Sequence, residues 1–347
     1  MLALVLAVSA VALVSGANHF AGNRELSARR DTLKALQTAR ELLLARALAE
    51  DNTPGALPCP SPDESGSTVT ECAPNTTGVI GRLPWKTLGT TPLLDGDGEC
   101  LWYALSVPQR NGVPAQCRDD SHDGEALCLS VPATPPINPA TVPSLVANGE
   151  KVVAVLFAPS RSLSTQTGRG SGSGGCRSGS PDQFLESPGT SGTAVSTTIS
   201  SPQPGGNDQI LVITQQDVMK VVAARFLRRL ADSGIAFTDG PLADTRGLTS
   251  PSQQAFDLKL LTTQDTPNYA KATGSAACPR TSTLVDGLPS SLNYKHPVST
   301  LCLNDWYTWI SFDSSKNLLS ISIPPANAGE KTVICSATPG SKEVLCV

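Results

Sequence analysis

Three acidic side chains alternate with glycine in the stretch DGDGE, where Asp95, Asp97 and Glu99 occupy every second position. Carboxylate oxygens are the ligands that calcium takes, and a glycine-rich turn can bring several of them to one point. An EF-hand needs a longer loop with more ligands, and Asp-Gly is also a frequent dipeptide of solvated hairpin turns. The pattern therefore predicts either a calcium site or, as the commoner origin of such a sequence, a solvated turn.

A second acidic segment, RDDSHDGE, places Asp119, Asp120, Asp123 and Glu125 around His122. These residues could share ligands with the first acidic turn, although a solvated loop is the commoner origin of such a segment. The whole chain has three histidines, and it contains no GxSxG, HExxH or Walker pattern. We therefore expect a protein that is not an enzyme.

The ten cysteines form no Cys-x-x-Cys pair, which argues against zinc binding and thioredoxin-like chemistry. Disulfides in an oxidising compartment are the better explanation, and free buried thiols in a cytosolic protein are the alternative. The predicted pairs are Cys59 with Cys72, Cys278 with Cys302, and Cys335 with Cys346. The other four, Cys100, Cys117, Cys128 and Cys176, allow three connectivities, and Cys176 is placed to tie down a glycine-rich loop.

Composition limits the classes of partner. The net charge is −4, the chain has no marked basic patch, and we expect no nucleic-acid partner. The 29 glycines, 28 prolines and only 16% charged residues predict a globular protein that is rich in loops and strands rather than a helical bundle.

The first fifty residues predict one continuous helix with two different halves. Residues 1–23 carry no fixed charge and, as a helix, would span about 35 Å, which is enough to cross a bilayer core. Residues 24–50 contain good helix formers with no proline or glycine. We expect the first half to be transmembrane and the second to dock on a globular head. The predicted apolar face consists of Leu26, Leu33, Leu36, Leu43 and Ala47.

Further elements are predicted within the head. The apolar run 152–157 indicates a central strand, LWYALS a buried strand or a helix start, and residues 210–213 another strand. A helix should begin after Thr214, with Asp217 as its capping-box partner. Its buried stripe is predicted to be Val218, Val222, Phe226 and Leu230. Two hairpins should follow near the C-terminus, around DSSKN and around Pro339-Gly340.

Several of these segments carry a resemblance to a known family. ALPCP, GRLPWKTLG, LLDGDGE and LWYALS follow the helix in order, and FLES and NDQILVIT come later. Together they resemble pilin-like and pseudopilin-like proteins of Gram-negative bacteria over residues 1 to about 232. The expected fold is α+β, with a long N-terminal helix packed on an antiparallel sheet and a disulfide-rich β region at the C-terminus. The expected organisation is a helix over 1–50, a head over 51–240 and a β-rich region over 241–347.

The resemblance implies a minor pilin or pseudopilin of a type IV pilus or a type II secretion pseudopilus. Its partners would be other pilin or pseudopilin subunits, the inner-membrane assembly machinery, a prepilin peptidase and membrane lipid. The chain would cross the inner membrane once, with its head in the periplasm, and would reach the cell surface in a filament. A bulky head favours a low-copy, tip or initiating position.

The N-terminal residues depart from the family pattern. Most pilins have glutamate at the fifth mature position, where it pairs with the amine of a neighbouring subunit; with Met1 as the first mature residue, this chain has Val5. A carboxylate in hydrocarbon is costly, so the glutamate is kept only where it can pair with a neighbour's amine. A subunit with no neighbour above it has no amine to neutralise, so Val5 is compatible with a position at the filament tip. The family's basic leader is absent, so we expect the chain to start after a removed leader or at a misassigned codon. The alternative is an anchored periplasmic binding or adhesion protein outside any filament.

Overall fold

The computed structural model describes two α-helices, sixteen short strands and several of the connecting turns. Side chains of residues 2–23, and of some of the shortest strands, lie outside the described part. The described residues are 2–49, 55–68, 78–106, 116–117, 128–129, 143–164, 166–170, 176–186, 190–191, 194–195, 198–199, 206–232, 240–241, 310–323, 332–341 and 343–347.

The first helix, α1, spans Leu2–Ala49 and packs on the head through its C-terminal half. The predicted apolar face is only partly buried. Leu36, Leu43 and Ala47 are buried as expected, but Leu26 and Leu33 are 64% and 53% exposed. Leu26 precedes the first buried residue of the helix, and Leu33 lies about 60° round the helix from Leu36. The face that docks is therefore shorter and narrower than the sequence predicted, and it begins at Thr32.

A six-stranded sheet forms the centre of the head, with the spatial order β11-β7-β2-β1-β9-β8 and antiparallel pairing throughout. The predicted strand at 210–213 is in this sheet, most of the predicted strand 152–157 forms β7 while Val152 belongs to a smaller sheet, and LWYALS forms a strand rather than a helix start. The strands are β1 (Gly78–Arg82), β2 (Trp102–Ser106), β7 (Ala154–Ala158), β8 (Thr190–Ser191), β9 (Ala194–Val195) and β11 (Gln209–Ile213).

Two small sheets accompany the central one. The three-stranded sheet has the order β10-β5-β6, in which β10 and β5 run parallel, and the two-stranded sheet pairs β3 with β4. Their strands are β3 (Gln116–Cys117), β4 (Cys128–Leu129), β5 (Leu145–Ala147), β6 (Glu150–Val152) and β10 (Thr198–Ile199). In the two-stranded sheet, Cys117 lies directly opposite Cys128.

The central strands are buried on both faces. On β2, Tyr103 and Leu105 join the core beneath α1, whereas Trp102 and Ala104 join a second core on the opposite face. Successive side chains of a strand point to opposite faces, so a run such as WYALS can bury every residue only where both faces are covered. This explains why the central strands read as continuous apolar runs.

The second helix, α2 (Gln215–Asp232), follows β11 directly and begins with the predicted capping box. The Thr214 amide donates to the Asp217 carboxylate, and the Asp217 amide donates to the Thr214 hydroxyl, at 2.9 and 3.1 Å. The other carboxylate oxygen of Asp217 pairs with Arg40 of α1 at 2.6 Å. The predicted stripe of Val218, Val222, Phe226 and Leu230 is buried.

A five-stranded antiparallel sheet, ordered β12-β13-β14-β15-β16, packs on α2. Both predicted C-terminal hairpins are present in it. Cys335 and Cys346 are directly opposed in the last pair and form the predicted disulfide. The hydrophobic core runs without a break from α1 through α2 to this sheet. Its strands are β12 (Gly240–Pro241), β13 (Ile310–Asp313), β14 (Leu318–Ile323), β15 (Val333–Ala337) and β16 (Val344–Cys346).

Other predictions fall outside the described residues or their described side chains. These predictions concern Met1, the side chain of Val5, Cys72, the acidic segment around His122, Cys278 and Cys302. Cys59 is disulfide-bonded, but its predicted partner, Cys72, lies outside the described residues. The predicted membrane span falls on residues 1–23. In the part of the chain whose side chains are described, no helix is long and apolar enough to cross a membrane.

We expect Leu36→Ala to lower the free energy of unfolding by about 3 kcal/mol, because it removes a buried side chain and leaves a cavity. Leu33→Ala, three residues away on the exposed edge of the same helix, should change it by less than about 0.5 kcal/mol. Urea unfolding of the full chain measures both. Equal losses in the two variants would contradict the observed docking face.

Candidate functional site

The acidic turn at DGDGE is built around the buried carboxylate of Asp95. One of its oxygens accepts hydrogen bonds from the amides of Asp97 and Glu99, both at 2.9 Å, and the other accepts from the Ser160 amide at 2.8 Å. Burial raises the pKa of Asp95, although these three backbone donors act in the opposite direction. The carboxylate therefore shapes the turn and connects it to the chain that follows β7.

The turn lies directly against α1. The Gly96 amide donates to the hydroxyl of Thr32 at 2.9 Å, and that hydroxyl donates to the Ala28 carbonyl, also at 2.9 Å. A Cβ atom at Gly96 would overlap the backbone of Ala28. Only glycine permits this approach, which occurs where α1 first becomes buried. The turn thus holds α1 at the point where the helix leaves the head.

Glu99, at the end of the turn, faces two arginines. Its Oε1 lies 3.4 Å from Nη1 of Arg169 and 3.5 Å from Nε of Arg177. The side chains of Glu99 and Arg169 are both almost completely buried, whereas Arg177 is about half exposed. Within the described part of the chain, Glu99 Oε2 is buried without a hydrogen-bond partner. One carboxylate therefore balances two guanidinium groups.

Arg169 is held mainly by backbone and amide oxygens. Its Nε donates to the Gln183 carbonyl and its Nη1 to the Ser160 carbonyl, both at 3.1 Å. Its Nη2 donates to the side-chain oxygen of Gln166 at 2.7 Å and to the Phe184 carbonyl at 3.3 Å. The guanidinium also stacks 4.8 Å from the Phe184 ring centre. This arrangement draws the glycine-rich segment around Arg169 onto the sheet.

A third arginine, Arg82, is buried against two aromatic rings that contact each other. Its guanidinium carbon lies 3.9 Å from the ring centre of Trp102 and 4.2 Å from that of Phe184, and its Nη2 donates to the Arg177 carbonyl. Burial lowers the pKa of Arg82 to about 10, while the charge of Glu99 opposes this change. Arg82 thus remains charged at neutral pH, and cation–π contacts stabilise it.

A disulfide between Cys100 and Cys176 joins the two halves of the cluster. The bond spans 76 residues of sequence, and closing such a loop contributes about 4 kcal/mol in the chain-entropy model. Because Cys100 follows Glu99 and Cys176 precedes Arg177, the bond also brings that ion pair together. It resolves one pair among the four cysteines whose connectivity the sequence left open, and it ties down the glycine-rich segment as expected.

The calcium prediction for Asp95, Asp97 and Glu99 finds no support in this arrangement. Asp95 is surrounded by backbone amides, Asp97 pairs with exposed Arg161 at 3.0 Å, and Glu99 points to the arginines. Across the described residues, no group of three or more His, Cys, Asp or Glu side chains could hold a metal ion. The three carboxylates therefore have separate structural tasks. A solvated turn was also inaccurate, because Asp95 and Glu99 are buried.

Sequence reasoning missed the arginines and their aromatic neighbours. Arg82 lies in GRLPWKTLG, and Arg169 and Arg177 lie in TGRGSGSGGCRSGS, which the sequence suggested was a flexible loop. The available signal was a pair of arginines beside a cysteine in a segment with few other charges. We name the Asp95–Glu99 turn, the Cys100–Cys176 disulfide and the three arginines the arginine clamp.

Comparison of the chain with protein-family models, curated proteins and solved structures finds no match. What the arginine clamp can do must therefore be judged from its geometry. It presents no nucleophile with an adjacent base, and its carboxylates and cations neutralise and position one another. The geometry indicates a structural role, in which the cluster connects α1 to the sheet.

We expect Gly96→Ala to destabilise the protein by about 2 kcal/mol, because the new methyl group must push the turn away from α1. Gly98→Asn is the matched control. Gly98 has φ +86° and open space around its Cα, and asparagine tolerates the left-handed region, so the cost should be about 1 kcal/mol or less. Urea unfolding under oxidising conditions measures both, and an unchanged midpoint for Gly96→Ala would contradict the close approach to Ala28.

Glu99→Gln should cost about 3 kcal/mol, because it leaves Arg169 and Arg177 without a carboxylate. Asp97→Asn, which breaks an exposed pair with Arg161, should cost about 0.5 kcal/mol. The free energies of unfolding are to be measured with calcium and with a chelator. A calcium-dependent stabilisation that Asp97→Asn abolishes would instead support a metal site at this turn.

Proposed function

We propose that this chain is a non-enzymatic minor pilin or pseudopilin subunit of a type IV pilus or a type II secretion pseudopilus. Its N-terminal helix would hold it among like helices, and an inner-membrane machine would extract and incorporate it after a prepilin peptidase acts. The family resemblance of the ordered segments from ALPCP to NDQILVIT suggests this role. The fold described above, one helix packed on an antiparallel sheet, supports it.

The main support for the proposal is the direct contact that attaches α1 to the head. Residues 24–31 of α1 are mostly exposed, burial begins at Thr32, and the Gly96 turn contacts the helix there. A subunit that is pulled from a membrane by its helix must transmit that force to its head. A turn that is hydrogen-bonded directly to α1, and that is backed by the buried Asp95, a disulfide and paired charges, is suited to this.

A low-copy position at the filament tip fits the same features. The head is bulky, and the region after residue 240 adds a further sheet that would be hard to repeat along a tightly packed filament. Val5 in place of a glutamate removes the need for a neighbour's amine, provided that Met1 is the first mature residue. In this position, the head could contact an adhesion target or a secreted substrate.

The second candidate is a single-pass anchored periplasmic binding or adhesion protein that joins no filament. The disulfides favour an oxidising compartment for either role. The two differ in what they require of residues 24–31. A filament subunit needs a stiff helix there, whereas a simple anchor works equally well with a bent or flexible connection.

Ser27→Pro tests this difference, because proline within a helix removes a hydrogen bond and kinks the chain at a cost of about 3 kcal/mol. In the bacterium that makes this protein, we expect the variant to reach the membrane but to be lost from sheared filaments. Ser27→Ala should be incorporated like the unaltered chain. Quantitative immunoblotting of membrane and filament fractions gives the comparison.

N-terminal sequencing and intact mass, with and without an active prepilin peptidase, complete the test. A peptidase-dependent, N-methylated Met1 is the expected result. An N-terminus cut near Ala17, or no trace of the unaltered chain in filaments, would contradict the filament role and leave the anchored binding protein.

A further inference from the structure

An apolar groove lies between the C-terminal half of α1 and α2, away from the arginine clamp. Its volume is about 560 Å³. Three of the residues that line it are alanines, which leave a recess between the two helices. Arginines supply the charged groups in its lining. The lining residues are Ala45, Leu48, Ala49, Val221, Ala224, Arg225 and Arg228.

The two helices that form the groove run in the same direction. Arg40 pairs with Asp217 near the start of α2, and about two helical turns further along both helices Arg225 donates to the Leu48 carbonyl. The second contact also satisfies a carbonyl at the C-terminal end of α1, where a cation is favoured. The walls of the groove are therefore fixed to each other at two levels.

We propose that this groove binds an amphipathic helix of another protein, with apolar side chains that enter the recess and acidic side chains that face Arg228. The lining residues are spaced three or four apart on both helices. This is the surface repeat with which the side chains of a third helix interdigitate. The small side chains of Ala45, Ala49 and Ala224 form the holes that larger side chains would fill.

Charge identifies the kind of helix. Arg228 is exposed at the rim, and Arg225 lies beside it with its guanidinium on α1. Glu41 lies one turn before Ala45 on α1, so acidic side chains of the partner should approach from the α2 side. An acidic partner gains favourable long-range attraction there, and this attraction governs association rate and selectivity more than total affinity.

A second copy of this chain fits the groove less well. On the described helices, Leu26 and Leu33 of α1 are the large exposed apolar side chains that such a copy would offer, since the others, at Leu94, Ile334, Leu345 and Val347, do not lie on a helix. Exposed Arg30 lies between these two leucines on the helix surface, whereas Arg29 pairs with Glu25. Basic residues on both surfaces would repel each other. The proposal therefore names a different protein, and it stands whether or not the chain joins a filament.

Two synthetic helical peptides of about 14 residues test the proposal, since four helical turns cover the roughly two turns of α2 that line the groove and leave about one turn beyond each end. Both carry the same leucines at i, i+3 and i+7, and one has glutamates and the other lysines on the flanks. Fluorescence anisotropy measures their binding to the purified full chain. We expect the acidic peptide to bind about tenfold more tightly. Arg228→Glu should reverse the preference, and Lys220→Glu, an exposed charge change on the same helix outside the lining, should not.

Ala224→Trp fills the recess and should abolish binding of the acidic peptide while the circular dichroism spectrum stays unchanged. Equal binding of both peptides, or binding that survives both Ala224→Trp and Arg228→Glu, would overturn the proposal. Two further measurements use the same variants. Loss of self-association in Ala224→Trp would make a second copy the occupant, and binding of anionic phospholipid vesicles that outcompetes the acidic peptide would make lipid the occupant.

Discussion

The close approach of Gly96 to α1 is the contact on which the arrangement of the head depends. A helix presents a backbone neighbour with side chains on nearly every side, so another chain can reach its surface only where both partners are small. Here Ala28 and Gly96 meet, and the Thr32 hydroxyl supplies an acceptor for the glycine amide. Asp95 and Glu99 anchor the two ends of this turn, Asp95 through the Ser160 amide and Glu99 through Arg169 and Arg177.

The buried carboxylates at the two ends of that turn are stabilised in different ways. Asp95 is buried among backbone amides, which orient it without requiring an opposite charge. Glu99 is buried beside Arg169, whose other donors go to carbonyl and amide oxygens and whose guanidinium lies over the ring of Phe184. Buried charges are costly unless they are paired and hydrogen-bonded. Their main effect is therefore to fix one geometry, because any slip of the turn would leave a charge without its partners.

Local rules were sufficient for much of the fold. The capping box of Thr214 and Asp217, the stripe on α2 and the hairpin closed by Cys335 and Cys346 all follow from interactions within about a dozen residues. The clamp could not be predicted in this way, because Arg82, Glu99 and Arg169 come from distant segments and only the sheet brings them together. The same limit explains Leu26, which lies before the first buried residue of α1, so that its exposure depends on where the head ends rather than on the period of the helix.

The acidic turn shows why a pattern of ligand types is weak evidence for a metal. Alternating carboxylates and glycines can supply oxygen ligands for calcium. The same pattern also suits a turn in which one carboxylate is buried, another is exposed and a glycine contacts a helix. The two cases differ in where the oxygens point, and that depends on the neighbours. Here Asp95 accepts from backbone amides, Asp97 pairs with exposed Arg161, and Glu99 pairs with buried Arg169 and half-exposed Arg177. The three carboxylates that the sequence suggested as ligands of one metal ion therefore each contact different residues.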